Sequence, residues 1–535
     1  MAITFSAGRT LNDMEQHFPF VNVSNPTWLV YVAVLVIAVF FRFSRLFTVR
    51  NLDVLLILLL STSLVVASAS KGSSLADPGA EVRQKQEARN RALFAVAPLL
   101  PDGSLDPGEV SRGIAANPGT TDDRGASAEV SGESLRSAPV GRWSSIGLLL
   151  FSLLLMVRLV FDESLTRRPR LEQNLNQAGL TFLCVPAFAL LTISIFLVEP
   201  PQSNVAAVEH GRALLQRREV LVTTEPGGEQ PPAPTETLLA AGAAGMAELS
   251  GRLHDGGVVT PAEAIDLEAV VAQILVAVSH TTVVLGLLYI GFRHFNSIQL
   301  GISMSCLYLL LPCTAFHVHH LSHVLPGACL TWAIAAYRRP VVSGVLLGLA
   351  CGTLFFAVFL VPLWAVFYGR RGAFRFGTSL VAVGAVLAIC LMLTSSDTNS
   401  FMNKLVTTMN WTVYRLLDGT GNAAGTPLGQ LFVRIPMAAV FFVMLTAMTV
   451  LPRPRNLENL LANSAALVVA AQLWYPDDIG TYVLWYLPLF LLVVFRPRLD
   501  RFMPPDLSER RTAVPQVYTG GAPSPVAMSR LTLYQ

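Results

Sequence analysis

Long apolar segments separated by polar connections dominate the pattern of hydrophobic positions along the chain. Several of these segments reach the roughly 18 to 25 residues that cross a hydrocarbon core of about 30 Å. The thirteen segments that we predict as helices are 27–46, 52–70, 143–161, 176–198, 268–291, 298–316, 324–337, 341–353, 354–368, 376–394, 431–451, 457–474 and 480–496. The pattern predicts an all-α integral membrane protein with about 13 transmembrane or half-depth helices and small helical loops outside the membrane.

Arginine placement predicts the orientation of these segments. Cytoplasmic loops carry an excess of Lys and Arg. The arginines of the short connections are Arg42, Arg45, Arg50, Arg167, Arg168, Arg170, Arg293, Arg338, Arg339, Arg370, Arg371, Arg375, Arg453 and Arg455, and the segment after the last span adds Arg496, Arg498 and Arg501. If all of these arginines are cytoplasmic, the thirteen segments alternate in direction without conflict, with the N-terminus outside and the C-terminus inside. We therefore expect a protein of a bacterial inner membrane.

Three polar insertions interrupt the apolar pattern, at 71–142, 199–267 and 395–430, and all three fall on the extracytoplasmic side of this topology. The predicted organisation is an extracytoplasmic N-terminus 1–26, two spans in 27–70, a partly disordered insertion 71–142, a span with an arginine-rich connection in 143–175, a membrane core 176–498 and a cytoplasmic tail 499–535. Gly, Pro, Ser and Asp are frequent in the first insertion after residue 100, which favours disorder there.

The other two insertions have helical features. Residues 203–220 and 236–254 have helical composition, and Thr260-Pro261-Ala262-Glu263 predicts a helix start that continues into the span at 268–291. In the last insertion, 399–417 has apolar residues at helical spacing, which predicts an amphipathic helix on the membrane interface.

The stretch between Arg339 and Arg370 conflicts with a single crossing, because both of its ends carry arginine. Two short helices broken near Gly352-Thr353 would form a half-depth hairpin and resolve the conflict. Broken backbone at membrane depth survives only where it is buried in protein or lines a wet cavity. The alternative is one long tilted helix beside a neighbour with different bounds.

Composition and motifs exclude several functional classes. Only 14% of residues are charged, against about 25% in soluble domains. The formal charge of +3 gives no indication of nucleic-acid binding. All six cysteines lie in or beside apolar segments, so a disulfide framework is not expected. The chain has no P-loop and no HExxH motif, which excludes most nucleotide-driven pumps and zinc proteases of that type.

Histidines form the densest cluster of reactive side chains, with four in the seven residues 317–323, at the predicted extracytoplasmic mouth between two spans. On a helix, His319 and His323 would be four residues apart and able to share a metal ion, whereas His317 and His320 would be three apart. A metal site, hydrogen bonding to a substrate phosphate or sugar by His317, His320 and His323, and a plain interfacial role all remain open. His280 lies inside a span, where it is either functional or a neutral histidine bonded to a backbone carbonyl.

Carboxylates of the outer segments are candidates for a general base or for metal ligands. Glu199 follows a span directly and Glu209 lies ten residues later, whereas Asp477 and Asp478 lie between the last two spans. Lys404 and Arg415 of the last insertion are candidates for binding a phosphate. On the cytoplasmic side, Asp53 is expected to pair with a nearby arginine, and Arg158 to extend towards the interface.

From about residue 176 onwards the order of elements resembles the GT-C-type glycosyltransferases, which are polytopic enzymes that take sugars from lipid-linked phosphate donors. The residues that carry the resemblance are Leu309-Leu310-Leu311-Pro312, Arg338-Arg339-Pro340, Gly344-Val345-Leu346-Leu347-Gly348-Leu349-Ala350, Pro362-Leu363-Trp364, Arg370-Arg371 and Trp485-Tyr486-Leu487-Pro488-Leu489. They include an arginine-bounded pair of short helices similar to that of the family, between two outer loops at 199–267 and 395–430.

The resemblance implies transfer of a sugar from a polyprenyl-phosphate donor at the extracytoplasmic face. An acid of the first outer loop would act as base on the acceptor, a role that falls to Glu199 or Glu209. A divalent metal ion often helps to bind the donor phosphate, and the candidate ligands are His319, His323, Asp477 and Asp478. The partners implied are membrane lipid and a lipid-linked sugar. Two alternatives remain: a non-enzymatic membrane subunit that docks a protein partner through its outer loops, and a transporter.

Overall fold

The computed structural model describes residues 26–44, 47–75, 126–162, 173–218, 232–254, 261–409, 431–451, 455–474, 482–497 and 502–505. The helices of these residues are α1 (Pro26–Phe40), α2 (Val49–Leu75), α3 (Ala126–Val160), α4 (Gln177–Leu197), α5 (Gln202–Gln216), α6 (Pro234–His254), α7 (Pro261–Arg293), α8 (Ile298–Leu310), α9 (Pro312–Phe316), α10 (Leu321–Ala335), α11 (Pro340–Cys351), α12 (Val361–Leu393), α13 (Thr398–Met409), α14 (Leu431–Val450), α15 (Leu457–Trp474) and α16 (Val483–Phe495). A 3₁₀ turn, Phe355–Leu360, precedes α12.

Each predicted apolar segment overlaps one of these elements, which confirms an all-helical fold for the described residues. By length and composition, five described helical stretches are able to cross a membrane: Val49–Ala69, Trp143–Val160, Gln177–Leu197, Leu267–Arg293 and Phe356–Leu393. Shorter apolar helices, such as α11 and α16, complete the bundle. The full count of about 13 spans therefore stays a prediction.

The outside of the bundle is apolar. In the 18-residue apolar windows within Gln177–Leu197 and Phe356–Leu393, only 17% and 11% of the residues are buried inside the protein. Large apolar side chains such as Phe182 and Val381 are exposed along them. An apolar surface of this extent is more stable in hydrocarbon than in water, as is typical of helices that span a membrane.

Helices α15 and α16 form the centre of the bundle. In α16 all the residues Val483–Phe495 are buried, and α15 is buried almost throughout. A helix that is apolar on every face is stable only when other helices surround it. Aromatic rings pack against this pair. The Phe356 ring centroid lies 4.7 Å from that of Trp485. The ring centroids of Phe359 and Phe441 lie 6.0 Å and 5.4 Å from that of Trp474.

The predicted break between two short helices near Gly352 is confirmed, whereas the half-depth position of this hairpin in a membrane stays a prediction. Helix α11 has 12 residues, or about 18 Å at 1.5 Å per residue, which is short of a core of about 30 Å. It ends at Gly352, where a turn leads into the 3₁₀ segment and then α12. Helix α12 leaves helical conformation at Gly369, whose φ of 65° favours glycine.

Packing after Gly369 shows that the chain has turned back. Gly344 contacts Phe376 and Ser379, whereas Gly348 contacts Val383 and Gly352 contacts Leu387. Residue numbers increase in the same direction along the two contacting segments, so α11 and the part of α12 after Gly369 run parallel. The segment between them must therefore return to the end of the bundle where α11 began. We call residues 340–368 the broken hairpin.

One alternative for this region is wrong. A single long helix fails because residues 352–360 interrupt it. The predicted segments 354–368 and 376–394 agree with the structure in that helix lies on both sides of a kink at Gly369. The break is shorter than the predicted connection, because helix resumes directly after Gly369 and continues to Leu393.

Connections predicted to be cytoplasmic meet at one end of the bundle, which we call the arginine end. Asn174 donates to the carbonyl oxygens of Ala38 and Phe41 at 2.7 and 2.8 Å. The backbone N–H of Leu457 donates to the Phe502 carbonyl oxygen at 2.9 Å. Gly369 lies close to the Arg455 side chain. These contacts agree with the alternation of segments, whereas the side of the membrane on which this end lies stays a prediction.

A buried ion network joins the first helices to the last ones at the arginine end. Arg158 binds both carboxylate oxygens of Asp53, at 2.7 and 2.9 Å, and also Asp162 at 2.7 Å. Arg496 in turn bonds to Asp162 and to the Glu458 side chain. The expected pairing of Asp53 with an arginine is confirmed. Arg158 is buried rather than extended to the interface, because carboxylates from two sides satisfy its guanidinium.

Helix starts follow local sequence. Pro261 begins α7 as predicted, and α7 continues without a break through the apolar stretch to Arg293. The Asn176 side chain caps α4 by accepting from the Gly179 N–H at 2.8 Å. Helix α13 confirms a helix from Thr398 to Met409 in the segment 399–417, whereas its position on the membrane interface stays a prediction. The rest of that prediction, 410–417, lies outside the described residues.

Candidate functional site

The histidine-rich segment is a turn between α9 and α10. His317 ends α9, and α10 begins at Leu321. The opposite end of the bundle from the arginine end is therefore named the histidine end. Its other parts are the start of α5, the start of α6, the break after α11 and the start of α16.

Side chains from three helices hold this turn in place. Asn204 of α5 donates to the His319 carbonyl oxygen at 2.6 Å and accepts from the Leu321 N–H at 3.3 Å. Trp485 of α16 donates its indole N–H to the Ser322 carbonyl oxygen at 3.3 Å. His280 of α7 bonds to the Val318 carbonyl oxygen at 3.1 Å. The turn is thus fixed by polar contacts to backbone groups.

His280 is a structural residue. Because a carbonyl oxygen only accepts, the Nε2 of His280 carries the proton, and its Nδ1 accepts from the Tyr308 hydroxyl at 3.0 Å. Both ring nitrogens are therefore used. Of the two readings of this intramembrane histidine, the carbonyl-bonded one is confirmed.

Three histidine rings of the turn lie against one another. The ring centroids of His317 and His323 are 4.5 Å apart, those of His320 and His323 are 5.3 Å apart, and those of His317 and His320 are 6.1 Å apart. The Tyr482 ring lies 6.2 Å from that of His323. We call His317, His320 and His323 the histidine cluster.

His317 is the most enclosed member of the histidine cluster. Its side chain is buried, and among the described residues neither of its ring nitrogens has a hydrogen-bond partner. Burial, and secondarily the neighbouring His320, lowers the pKa of His317 to about 3, so its imidazole is neutral. Buried polar atoms without a partner are rare and indicate a missing water, ion or ligand.

His319 does not join the cluster as predicted. The helical spacing assumed for His319 and His323 is wrong, because α10 begins only at Leu321 and His319 lies in the turn before it. The backbone carbonyl oxygen of His319 accepts a hydrogen bond from the side-chain amide of Asn204. Burial lowers the pKa of His319 to about 4, with His320 as a secondary cause. Among the described residues, the imidazole of His319 makes no ring contact with those of His317, His320 and His323.

Sequence reasoning missed the carboxyl that is most unusual at this end, that of Glu236 in the first turn of α6. Only 6% of Glu236 is exposed. One oxygen accepts from the Ala233 N–H, and for the other, Oε1, the described residues provide no partner. Burial raises the pKa of Glu236 from 4.5 to about 7, although the Ala233 N–H lowers it.

Neighbours of Glu236 dock α6 onto the broken hairpin. The Thr235 hydroxyl donates to the Leu349 carbonyl oxygen at 2.8 Å. The backbone N–H of Thr235 donates to the Gly352 carbonyl oxygen at 3.2 Å. These acceptors are at the C-terminal end of α11, where the helix leaves carbonyls unsatisfied. The outer insertion therefore covers the break in the backbone.

Aromatic rings connect the break to the histidine cluster. Phe356, four residues after Gly352, lies 5.2 Å from the Tyr482 ring and 4.7 Å from the Trp485 ring by centroid. Tyr482 contacts His323 in turn. Glu236, the break and the histidine cluster thus belong to one continuous set of contacts.

The predicted bases Glu199 and Glu209 are both exposed. Glu209 is next to His210, which is half-buried. The pKa of His210 is lowered mainly by burial; it is raised by Glu209 and lowered by Lys404. Lys404 of α13 is therefore near α5, so the structure brings the insertions 199–267 and 395–430 together. Lys404 is itself buried, and its ammonium donates to the Thr394 carbonyl oxygen.

Arg212 of α5 links the helices of the insertion 199–267 to one another and to α7. It binds Glu248 of α6 at 3.2 Å and Glu268 of α7 at 2.5 Å. Gly211 lies so close to α6 that an added Cβ would be 2.5 Å from the Ala241 nitrogen. Helices α5, α6 and α7 are thus packed as a unit. This unit fixes the positions of Asn204 and Glu236.

Three predicted site residues, Arg415, Asp477 and Asp478, lie outside the described residues. Among those described, no three His, Cys, Asp or Glu side chains already converge on a common point as metal ligands. The predicted roles of Glu199, Glu209, His317, His320, His323 and Lys404 stay predictions.

Comparison with protein-family models, with curated proteins and with solved structures gives no match for this chain. The function is therefore argued from the residues of the histidine end.

Proposed function

We propose that the protein is a membrane glycosyltransferase that moves a sugar from a polyprenyl-phosphate donor to an acceptor at the extracytoplasmic face. The observation that carries the proposal is the carboxyl of Glu236. It is buried, has one oxygen without a partner among the described groups, and lies in the helix turn that covers the broken hairpin.

Glu236 has the properties of a general base. A base is most effective when its pKa is near the working pH, and enzymes raise carboxyl pKa values by burial to reach that range. The pKa of Glu236 is raised to about 7 by burial. Glu199 and Glu209 are exposed, and their carboxylates are hydrated. We therefore assign the role of base on the acceptor to Glu236 in place of these two.

The surroundings suit a donor that is part lipid and part phosphate. The broken hairpin brings irregular backbone to membrane depth, which is tolerated where it is covered by protein or lines a cavity. The histidine cluster and Lys404 lie at the same end of the bundle, and they supply nitrogen donors for a phosphate. The lipid-facing helix α4 leads directly into α5 of this site, so a polyprenyl chain in the bilayer is near it.

The orientation belongs to the same proposal. With the histidine end on the outer face of a bacterial inner membrane, the arginine end lies in the cytoplasm, as the placement of positive charge favours. The acceptor would then approach from outside, past the insertions 199–267 and 395–430.

Release of polyprenyl phosphate tests this function. Purified protein is incubated with a panel of polyprenyl-phosphate hexoses, and free polyprenyl phosphate is measured by mass spectrometry. Wild type should turn over at least one donor, and Glu236→Gln should lose about 100-fold or more of that rate, as expected for loss of a general base. Glu199→Gln and Glu209→Gln are the matched carboxyl controls and should retain the rate.

Two results would reject the proposal. If no donor is turned over, the non-enzymatic membrane subunit becomes the better explanation. If Glu236→Gln keeps the full rate while Glu209→Gln loses it, the assignment of the base is wrong.

A further inference from the structure

Exposed arginines gather at the arginine end of the bundle. In the described part of the chain they are Arg293, Arg338, Arg339, Arg370, Arg371, Arg375 and Arg455. We call these residues the arginine patch. None of them forms an ion pair with a carboxylate of the described residues, whereas the buried Arg158 and Arg496 do. The described residues therefore leave the positive charge of the arginine patch uncompensated.

A buried tyrosine orients one guanidinium of the arginine patch. The hydroxyl of the fully buried Tyr337 accepts from the Nε of Arg338 at 2.9 Å. The Tyr337 ring lies 5.3 Å by centroid from that of His294, whose Nε2 donates to the Ala335 carbonyl oxygen at 2.9 Å. Burial lowers the pKa of His294, although its bond to the carbonyl raises it. The charges of Arg338 and Arg293 lower this pKa further, so both guanidinium groups are near the same ring.

The kink of α12 brings further arginines beside this pair. The Phe367 ring, next to the kink, lies 6.5 Å by centroid from the Tyr337 ring. The Arg455 side chain lies close to Gly369, the residue of the kink. The pair Arg370-Arg371 follows directly and is exposed. Connections from four parts of the chain thus place guanidinium groups around the aromatic contacts of Tyr337.

Helix α11 begins at the same level. Gly344 of α11 contacts Phe376 of α12, and these segments run parallel. Arg339 and Arg371 each lie five residues before one of these contact positions, so they are at a similar depth. Arg375 lies four residues after Arg371, on the same face of the helix. The arginine patch is therefore one continuous surface.

Exposed apolar side chains adjoin the arginine patch. Phe292, Val341 and Phe374 are exposed by 63%, 49% and 73%. Phe292 precedes Arg293 and Phe374 precedes Arg375, so apolar and cationic surface meet at these positions. A phospholipid has the matching arrangement, because its phosphate and its acyl chains are joined in one molecule. A soluble acidic partner would match only the charge.

We propose that the arginine patch binds the phosphate groups of anionic phospholipids, such as phosphatidylglycerol. Guanidinium groups bind phosphate oxygens through paired hydrogen bonds. Clusters of four to eight Lys and Arg beside membrane spans attract anionic lipid, with about fivefold in affinity for each charge. Topology alone favours positive charge in these connections. It requires neither the buried hydroxyl that orients Arg338 nor the meeting of four connections, and the inference is independent of sugar transfer.

Lipid titration followed by native mass spectrometry tests the inference. The full chain is purified in detergent, freed of bound lipid, and titrated with phosphatidylglycerol or with phosphatidylcholine of the same acyl chains. The wild type should bind phosphatidylglycerol about tenfold or more tightly than phosphatidylcholine. Combining Arg370→Gln with Arg371→Gln should weaken binding of phosphatidylglycerol about 25-fold and leave that of phosphatidylcholine unchanged.

The matched control combines Arg217→Gln with Arg218→Gln. These adjacent arginines are also exposed, but they follow α5 in the insertion 199–267. The control changes the net charge equally and should keep the affinity of the wild type for phosphatidylglycerol. Thermal unfolding without added lipid checks that both variants fold. If the first does not, Arg293→Gln combined with Arg375→Gln carries the same expectation.

Three results would overturn the inference. Equal loss of affinity in the variant and in the control would show that only net charge matters. Equal affinity of the wild type for the two lipids would assign the arginine patch to a soluble acidic partner. Full displacement of phosphatidylglycerol by inorganic phosphate at the same concentration would show that the surface takes a free anion.

Discussion

Replacement of Glu236 by glutamine should stabilise the protein at high pH and leave it almost unchanged at low pH. In the unfolded chain this carboxyl ionises near 4.5, whereas in the folded protein burial raises its pKa to about 7. The unfolded state therefore loses its proton first as pH rises. Stability of the wild type falls across the interval between the two values, because ionisation favours the unfolded state there.

The size of the effect follows from the shift. One pKa unit corresponds to 1.36 kcal/mol, so the shift of Glu236 removes roughly 3 kcal/mol of stability by pH 8. Glutamine has nearly the same shape, stays neutral, and keeps an oxygen that accepts from the Ala233 N–H. It removes the dependence without opening a cavity. The melting temperature of Glu236→Gln should therefore exceed that of the wild type by about a few °C at pH 8.

Intrinsic tryptophan fluorescence in detergent measures both melting temperatures between pH 5 and pH 8. The exposed Glu199→Gln is the control, because its carboxyl is hydrated in both states, and it should show no pH-dependent difference from the wild type. If the melting temperature of Glu236→Gln differs from that of the wild type by the same amount at pH 5 and at pH 8, the reasoning is refuted. A gain in stability combined with a loss of turnover would separate a functional carboxyl from a merely structural one.

Three further substitutions test the fold. Gly344→Ala should lower the melting temperature, because an added Cβ collides with the backbone of α12, whereas Gly384→Ala, with open space around it, should not; equal effects would contradict the close packing. Arg158→Met should cost about 3 to 5 kcal/mol because buried Asp53 loses its ion pair with Arg158, and Asp53→Asn in that background should recover part of it; an unchanged denaturation midpoint would contradict the network. Asn204→Ala should speed hydrogen exchange in residues 317–323, since both of its bonds to the turn are lost; unchanged exchange would show that other contacts hold the turn.

The broken hairpin was predictable because its cause is written in the sequence. Arginines at both ends of a stretch of about thirty residues rule out one crossing, and Gly352-Thr353 marks the break. The second turn falls at Gly369, directly after the end of the predicted segment 354–368. Its length was not predicted, because residues 370–375 are helical rather than part of a loop.

Glu236 could not be recognised as a site residue from the sequence. Glu236 lies three residues after Ala233, which precedes the helix; a glutamate at this position is typical of a capping box, and one of its oxygens accepts from the Ala233 N–H. Its burial depends on Thr235 binding the end of α11, more than 100 residues later in the chain. Contacts over that distance have no local pattern.

The histidines were predicted as a cluster but not with the correct partners. Helical spacing paired His319 with His323, whereas the turn before Leu321 brings His317, His320 and His323 together. His319 lies two residues before the start of α10 and is therefore outside the helix that carries His323. The buried ion network was predicted only as Asp53 with some arginine, because its members Arg158 and Arg496 come from distant segments.

The most direct test of the central claim is native mass spectrometry of the purified protein with its co-purified lipids. A polyprenyl-phosphate site at the histidine end predicts a bound polyprenyl phosphate or its glycosylated form in the wild type, retained in Glu236→Gln because the base acts on the acceptor. Bulk phospholipid alone in both proteins would contradict the claim.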